Sequence, residues 1–315
     1  PELLDLTLNP TTERWLFGAF ALAFAIKVPV FPLHTWLPDA HVEAPTAGSV
    51  LLAGVLLKLG TYGLLRFNLG LFPQASVDFV PVLAALGVIG VVYGAVVAIV
   101  QPDLKKLVAY SSVSHLGFII LGTFALTSAG LAGGMIQNVN HGLTTGALFL
   151  LVGMIYDRRH TKQIADFGGL AKVMPIFAGA FLFTTFASIG LPGLNGFIGE
   201  FMVLLGSFPS LPVHAVVAAS GVVLAAIYLL WAYERTFHGV LDKPENQKLV
   251  DLSIREVSLL APLLMLMLLL GLYPKVLLDR IEPSTEAVLD RIEAVTDYRV
   301  PVPGRAEQVL AGGEG

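Results

Sequence analysis

The chain has 315 residues, 55% hydrophobic and only 13% charged, whereas a soluble domain usually carries about 25% charged residues. Mean hydropathy is +0.77, so little of the surface is built to meet water. The absence of cysteine excludes disulfides, thiolate-held metals and iron–sulfur clusters, and a net charge of −4 gives no nucleic-acid footprint.

The sequence opens on Pro1, and Glu2, Asp5 and Glu13 are wrong for the basic start of a signal peptide. The expectation is that this is the C-terminal part of a longer protein. Apolar stretches of the roughly 20 residues needed to cross a bilayer predict eight spans: 15–37, 46–67, 79–100, 107–127, 131–156, 174–208, 213–233 and 257–274. Short connections make neighbouring helices antiparallel. After 274 the composition turns acidic and polar, which predicts a membrane domain over 1–278 and a solvent-side tail over 279–315, with a short amphipathic helix at 279–295.

Basic residues orient the spans. Lys105 and Lys106, then Arg158, Arg159, Lys162 and Lys172, then Arg235, Lys243 and Lys248 fall in loops of one side, read as cytoplasmic. The opposite loops at 128–130 and 209–212 have none, and Arg66 is the only basic residue beside 68–78.

Two spans carry breaks. The first has Pro29 and Pro32 in FAIKVPVFP; the sixth, longer than one crossing needs, has Pro192, Gly193 and Gly196 in LPGLNGF. Proline removes a backbone donor and crowds the preceding turn. Irregular backbone at membrane depth is tolerated only where protein buries it or water reaches it, and paired interruptions point to a transport site. Either break alone is equally well an ordinary proline kink.

Five ionisable residues lie inside the spans: Lys27 against the Pro29 break, Lys58 in LLAGVLLKLGTYG, His115 in SSVSHLGF, His141 in QNVNHGLTTG, and Glu200 in GFIGEF. A charge at the bilayer centre costs about 2.5–3.5 kcal/mol or more, so such groups face partners or a hydrated interior. Helical spacing gives each of three a polar stripe: Thr61 and Tyr62 beside Lys58, Ser111 and Ser112 beside His115, and Gln137, Asn138, Thr144 and Thr145 beside His141. Lysine, histidine and glutamate in series suit proton relay. A purely structural Lys–Glu pair with two satisfied histidines is the alternative. Two histidines on neighbouring helices also suit haem ligation, which would leave Lys27, Lys58 and Glu200 without a purpose. Asp39, His41 and Glu43 read as a solvated loop and helix start rather than a metal site, and His34 and His214, nearer helix ends, read as structural.

The runs KVPVFPLHTWLPDAHVEAPTAGSVLLAGVLLKLGTYGLLR (27–66), DLKKLVAYSSVSHLGF (103–118) and LPGLNGFIGEF (191–201) resemble the signature of the antiporter-like membrane subunits of respiratory complex I, over essentially all of 12–274. Glu200 separates the chain from the L and N branches and from most cation/proton antiporter chains, which resemble it but typically carry lysine near that position.

The resemblance implies an all-α, fourteen-helix inverted-repeat fold, of which this chain would hold the seventh to fourteenth helices. It implies that Lys27 matches the lysine of the first half-channel, Lys58 the linking lysine, His115 and His141 the histidines of the connecting polar axis, and Glu200 the terminal exit residue. The family's carboxylate partner for Lys27 lies on an earlier helix outside this sequence. The implied function is proton translocation within NADH:quinone oxidoreductase, with a multisubunit cation/proton antiporter or membrane-bound hydrogenase as the alternative. The chain itself would hold no cofactor and no metal; NADH, FMN, iron–sulfur clusters and quinone would belong to partner subunits. The expected partners are other membrane subunits, the L and N neighbours among them, and the lipid bilayer. The expected location is the bacterial inner membrane or an organelle membrane.

Overall fold

The computed structural model describes residue 3 and residues 8–301. Glu2, Asp5 and the end of the expected tail, 302–315, lie outside the described residues. The regular elements among the described residues are all helices, with one isolated bridge between Asp103 and Gln163.

Helix starts follow local chemistry. Asn9 caps α1 (Pro10–Lys27) by accepting from the Thr11 N–H at 2.9 Å, with proline in the first turn, where its missing N–H costs nothing. The crossing therefore begins earlier than hydropathy alone predicts. It stops at Lys27, resumes as the short α2 (Trp36–Glu43), and continues after Pro45 into α3 (Thr46–Leu69). Next come α4 (Pro73–Ile99), α5 (Leu104–Phe124) and α6 (Ser128–Arg159). Asp103 caps α5 through the Lys105 and Lys106 N–H groups, and Thr127 caps α6 through that of Gly130. The sixth crossing is split into α7 (Pro175–Ser188) and α8 (Asn195–Ser207). Then follow α9 (Pro212–Phe237), a single helical turn at Pro244–Gln247, α10 (Ile254–Leu272) and α11 (Lys275–Val295).

Among the described residues six helices, α3, α4, α5, α6, α9 and α10, are long and apolar enough to cross a membrane. The interrupted sixth crossing adds the shorter apolar helix α7, and α1 with α2 occupies the first expected stretch. Both breaks fall where the sequence places them: after Lys27, and over 189–194. α5 is the axis, buried over 94% of its most apolar stretch and packed against α4, α6, α8 and α9.

One regular-looking helix is not regular. α3 winds as a π-helix over Leu52–Leu56 and again over Leu64–Leu69, leaving a short α-helical stretch, Leu57–Gly63, that carries Lys58. π-helical turns inside α-helices often mark functional sites.

The basic loops meet at one end of the bundle. Lys106 lies 3.6 Å from Asp39, Lys105 donates to Ala44 O at 2.9 Å, and Lys162 donates to Val42 O at 3.2 Å. Two ammonium groups thus sit at the C-terminal carbonyls of α2, where the helix dipole favours positive charge. Lys243 donates to Ala165 O at the same end.

At that end Arg158, near the end of α6, forms a two-pronged pair with Glu256 in the first turn of α10, at 2.6 and 2.7 Å. Asp251 accepts from the first free N–H groups of α7, those of Ile176 and Phe177.

At the opposite end α11 lies across the loops. Its Leu289 and Ile292 are buried in the cluster that also holds Phe17, Leu64 and Leu131. Arg291 donates to Gly70 O at 2.8 Å and Tyr298 to Leu126 O at 2.9 Å. Burial, with Glu293 nearby, pushes the Tyr298 phenol up to about 12, so it donates as a neutral hydroxyl. α11 begins four residues before the helix expected at 279–295 and is docked on the bundle along one face.

Candidate functional site

Four of the five ionisable residues named from the sequence converge in the centre of the bundle. Lys58 on α3 is half-buried; His141 on α6, His115 on α5 and Glu200 on α8 are at most 3% exposed. The Lys58 ammonium donates to Ala53 O in the π-helical turn just before it and reaches His141 Nδ1 at 2.5 Å. The His141 and His115 rings meet edge to face with centres 5.9 Å apart. His115 Nδ1 is 2.9 Å from Glu200 Oε1, and its Nε2 is 3.4 Å from Ser188 Oγ at the end of α7.

The series therefore runs lysine, histidine, histidine, glutamate, across four helices and beside the break between α7 and α8. With Lys58 charged, His141 Nδ1 is the acceptor, which leaves its proton on Nε2. With Glu200 ionised, His115 Nδ1–H is the donor. A cation at one end and an anion at the other are thus joined by two neutral imidazoles, an arrangement in which one proton moved end to end neutralises both.

Each element is placed by its own pattern. The second crossing aligns Lys58 and Thr61 on one face, and Thr61 Oγ1 donates to Asn138 Oδ1 of α6 at 2.6 Å. Gln137, one turn before His141, donates to Glu200 Oε1 at 3.2 Å. Lys58 also lines an open cavity of 570 Å³ with Tyr62, Asn138, Gly142 and Leu263.

Lys27 is not brought into this series. It ends α1, is half-exposed, and has no hydrogen bond or ion pair among the described residues. Ser111 and Ser112, beside His115, are fully buried. Both hydroxyls donate to Val108 O of their own helix, the ordinary local solution for serine in an apolar helix.

The Asp39, His41, Glu43 group is scattered: Asp39 faces Lys106, while His41 is fully buried with its ring stacked on Phe149, centres 4.3 Å apart. Among the described residues no three His, Asp or Glu side chains gather as a metal site. His34, read as structural, lies buried against Phe31 and Tyr93.

Sequence reasoning placed Gln137 only as a helical neighbour of His141 and passed over Asn140 and Asn195. Asn140 Nδ2 donates to Asn195 O at 2.7 Å and Asn195 Nδ2 returns to Asn140 Oδ1 at 3.3 Å, joining α6 to the first residue of α8. The available signal was an Asn in each of two apolar helices, one of them opening the helix that follows a break.

Residues 2–227 match the family described as NADH:quinone oxidoreductase/Mrp antiporter, transmembrane. The chain is 48% identical over 288 residues to NADH-quinone oxidoreductase subunit M of Rhodobacter capsulatus, covering 91% of this chain and 56% of that protein. It is 45% identical over 305 residues to subunit M of Mycobacterium tuberculosis, covering 97% and 54%. It is 46% identical over 282 residues to NADH-ubiquinone oxidoreductase chain 4 of Marchantia polymorpha, covering 90% and 57%. The chain thus spans about half the length of the curated relatives it matches.

Among solved structures, a chain of respiratory complex I from Thermus thermophilus superposes with a TM-score of 0.87 at 36% identity, covering 92% of this chain and 61% of that one. A chain of the Mrp complex from Dietzia superposes with 0.77 at 23% identity, covering 89% and 59%, a likeness of fold alone.

Proposed function

The chain belongs to the NADH:quinone oxidoreductase/Mrp antiporter transmembrane family, and from that premise we propose that it moves protons across the membrane as part of the M-type subunit of NADH:quinone oxidoreductase. The observation that supports this reading best is the buried series Lys58, His141, His115, Glu200 in an otherwise apolar bundle.

In this reading Lys58 passes a proton to His141 Nδ1. The imidazolium passes its Nε2 proton toward His115, and His115 gives its Nδ1 proton to Glu200, which becomes the neutral acid. The step between the rings is the one contact in the series without a hydrogen bond, so ring orientation controls it. Lys27 feeds the same series from the first interrupted crossing and takes its carboxylate partner from helices outside this sequence. Electron transfer from NADH to quinone, with FMN and iron–sulfur clusters, takes place in partner subunits, and the L- and N-type antiporter-like chains are its membrane neighbours. The complex sits in a bacterial inner membrane or its organelle counterpart.

The second reading, a subunit of a cation/proton antiporter, is favoured by the shared fold of the Mrp chain. Glutamate at 200, where such chains typically carry lysine, opposes it.

The test is NADH-driven proton uptake by inverted vesicles carrying the full-length subunit. Glu200→Ala is expected to leave the complex assembled and lower uptake about tenfold or more, the scale on which positioned proton-transfer groups act. Glu200→Lys keeps a titratable group and is expected to be milder. Normal uptake by an assembled Glu200→Ala complex would sink the proposal.

A further inference from the structure

The carboxylate of Glu200 is held asymmetrically. Oε1 faces His115 Nδ1 at 2.9 Å and Gln137 Nε2 at 3.2 Å. Oε2 faces the other way, into the break: it lies 3.0 Å from where a side chain on Gly190 would begin. Gly190 has φ +75, a conformation that side chains rarely adopt, and as glycine it places no Cβ against Oε2.

The amide of Gln137 is itself oriented. Asn140 Nδ2 has two hydrogens; one goes to Asn195 O at 2.7 Å and the other to Gln137 Oε1 at 3.4 Å. With its oxygen committed to Asn140, Gln137 must turn its NH₂ toward Glu200. Gln137, Asn140 and Asn195 are 2%, 1% and 0% exposed, so solvent does not compete for these groups. A carboxamide neither gains nor loses a proton in the physiological range, so it orders its neighbour without entering the transfer.

We propose that Gln137 is a positioning residue for Glu200: a directed amide chain, Asn195–Asn140–Gln137, fixes Oε1 on the His115 side and leaves Oε2 facing the α7–α8 break. This deepens the proposed proton path and rests on Glu200 carrying a proton. The same clasp ties the broken helix to α6, so the orientation of the carboxylate follows any movement of α8.

The test uses the purified complex with the full-length subunit and reads the infrared antisymmetric carboxylate stretch of ionised Glu200, identified by its loss in Glu200→Gln. Gln137→Leu keeps the bulk and removes one of the two donors on Oε1, so the carboxylate becomes more symmetric and the band is expected to move to lower frequency, and proton uptake to fall about tenfold, the loss of one hydrogen bond to a charged group. If Gln137→Leu does not assemble, Gln137→Asn, with its amide on a shorter stem, is expected to move the band the same way. An unmoved band in an assembled variant overturns the proposal. Failure of both variants to assemble overturns it too, since that is how a purely structural tie behaves. The band reports on this hydrogen bond whether or not the subunit pumps, so the inference and the proposed function fail separately.

Discussion

Glu200, Lys58 and Lys27 differ in how far their charges are satisfied, and that ordering bears on their roles. Glu200 receives two donors and is almost fully enclosed. Lys58 has two partners but stands at the wall of a cavity. Lys27 has none among the described residues. A structural ion pair loses assembly when one member is removed, because the other is left buried and unpaired, at a cost of about 3–5 kcal/mol. Lys27→Ala leaves no described group unpaired. It is therefore expected to preserve assembly, checked by the amount of intact complex on a native gel, while lowering proton uptake about tenfold. Loss of assembly would favour the structural reading of Lys27.

The sequence singled out five ionisable residues, since a charge in an apolar span stands out. It could not say which of them meet. Gln137 and Asn138 both lie within a turn of His141, yet one reaches Glu200 and the other Thr61. That choice depends on how α3 and α8 pack around α6, a long-range fact that local spacing does not hold.

At the scale of elements, breaks made by proline and glycine were legible because those residues alter the backbone directly. The π-helical turns of α3 were not, because leucine, alanine and valine carry no such mark. Gly60 shows what the packing of that helix demands. A Cβ there would come 2.6 Å from Val28 Cγ2 and 3.0 Å from Phe24 O. Gly60→Val is thus expected to push the end of α1 away from α3 and to destabilise the complex by about 1–3 kcal/mol, the usual cost of overpacking. A lowered melting temperature in detergent checks it.

The clasp at the basic end makes a parallel case. Glu256 joins the end of α6 to the start of α10 and closes a capping box with Ser253. Its replacement by alanine is expected to cost about 1–3 kcal/mol, as a hydrogen bond to a charged group does. The readout is again thermal stability, with proton uptake per assembled complex unchanged, because this clasp lies outside the buried series.

For the whole molecule, the distribution of lysine and arginine announced a polarity that the bundle displays: Lys105, Lys106, Arg158, Lys162 and Lys243 gather at one end, and α11 lies across the other. The chain has no cysteine, so single cysteines report without background. Lys106→Cys and Asp290→Cys are expected to react with an impermeant thiol reagent from opposite sides of sealed vesicles; reaction from one side would refute the orientation. The sequence placed a short amphipathic helix at 279–295 in a solvent-side tail but not its docking on the bundle, because its buried face is a single stripe, Thr285, Leu289 and Ile292, on a charged helix. The two-fold interruption, by contrast, was visible and frames the series that joins α3, α6, α5 and α8.

The central claim is that Lys58, His141, His115 and Glu200 act as one path in series, and proton uptake by the Lys58→Ala, His141→Ala and double variants tests it most directly. Groups in series are grossly non-additive. In assembled complexes each single variant is expected to lower NADH-driven uptake about tenfold or more, and the double variant to be no worse than the more damaging single one. Uptake at the unaltered rate in either single variant, or losses that multiply in the double, would contradict the account.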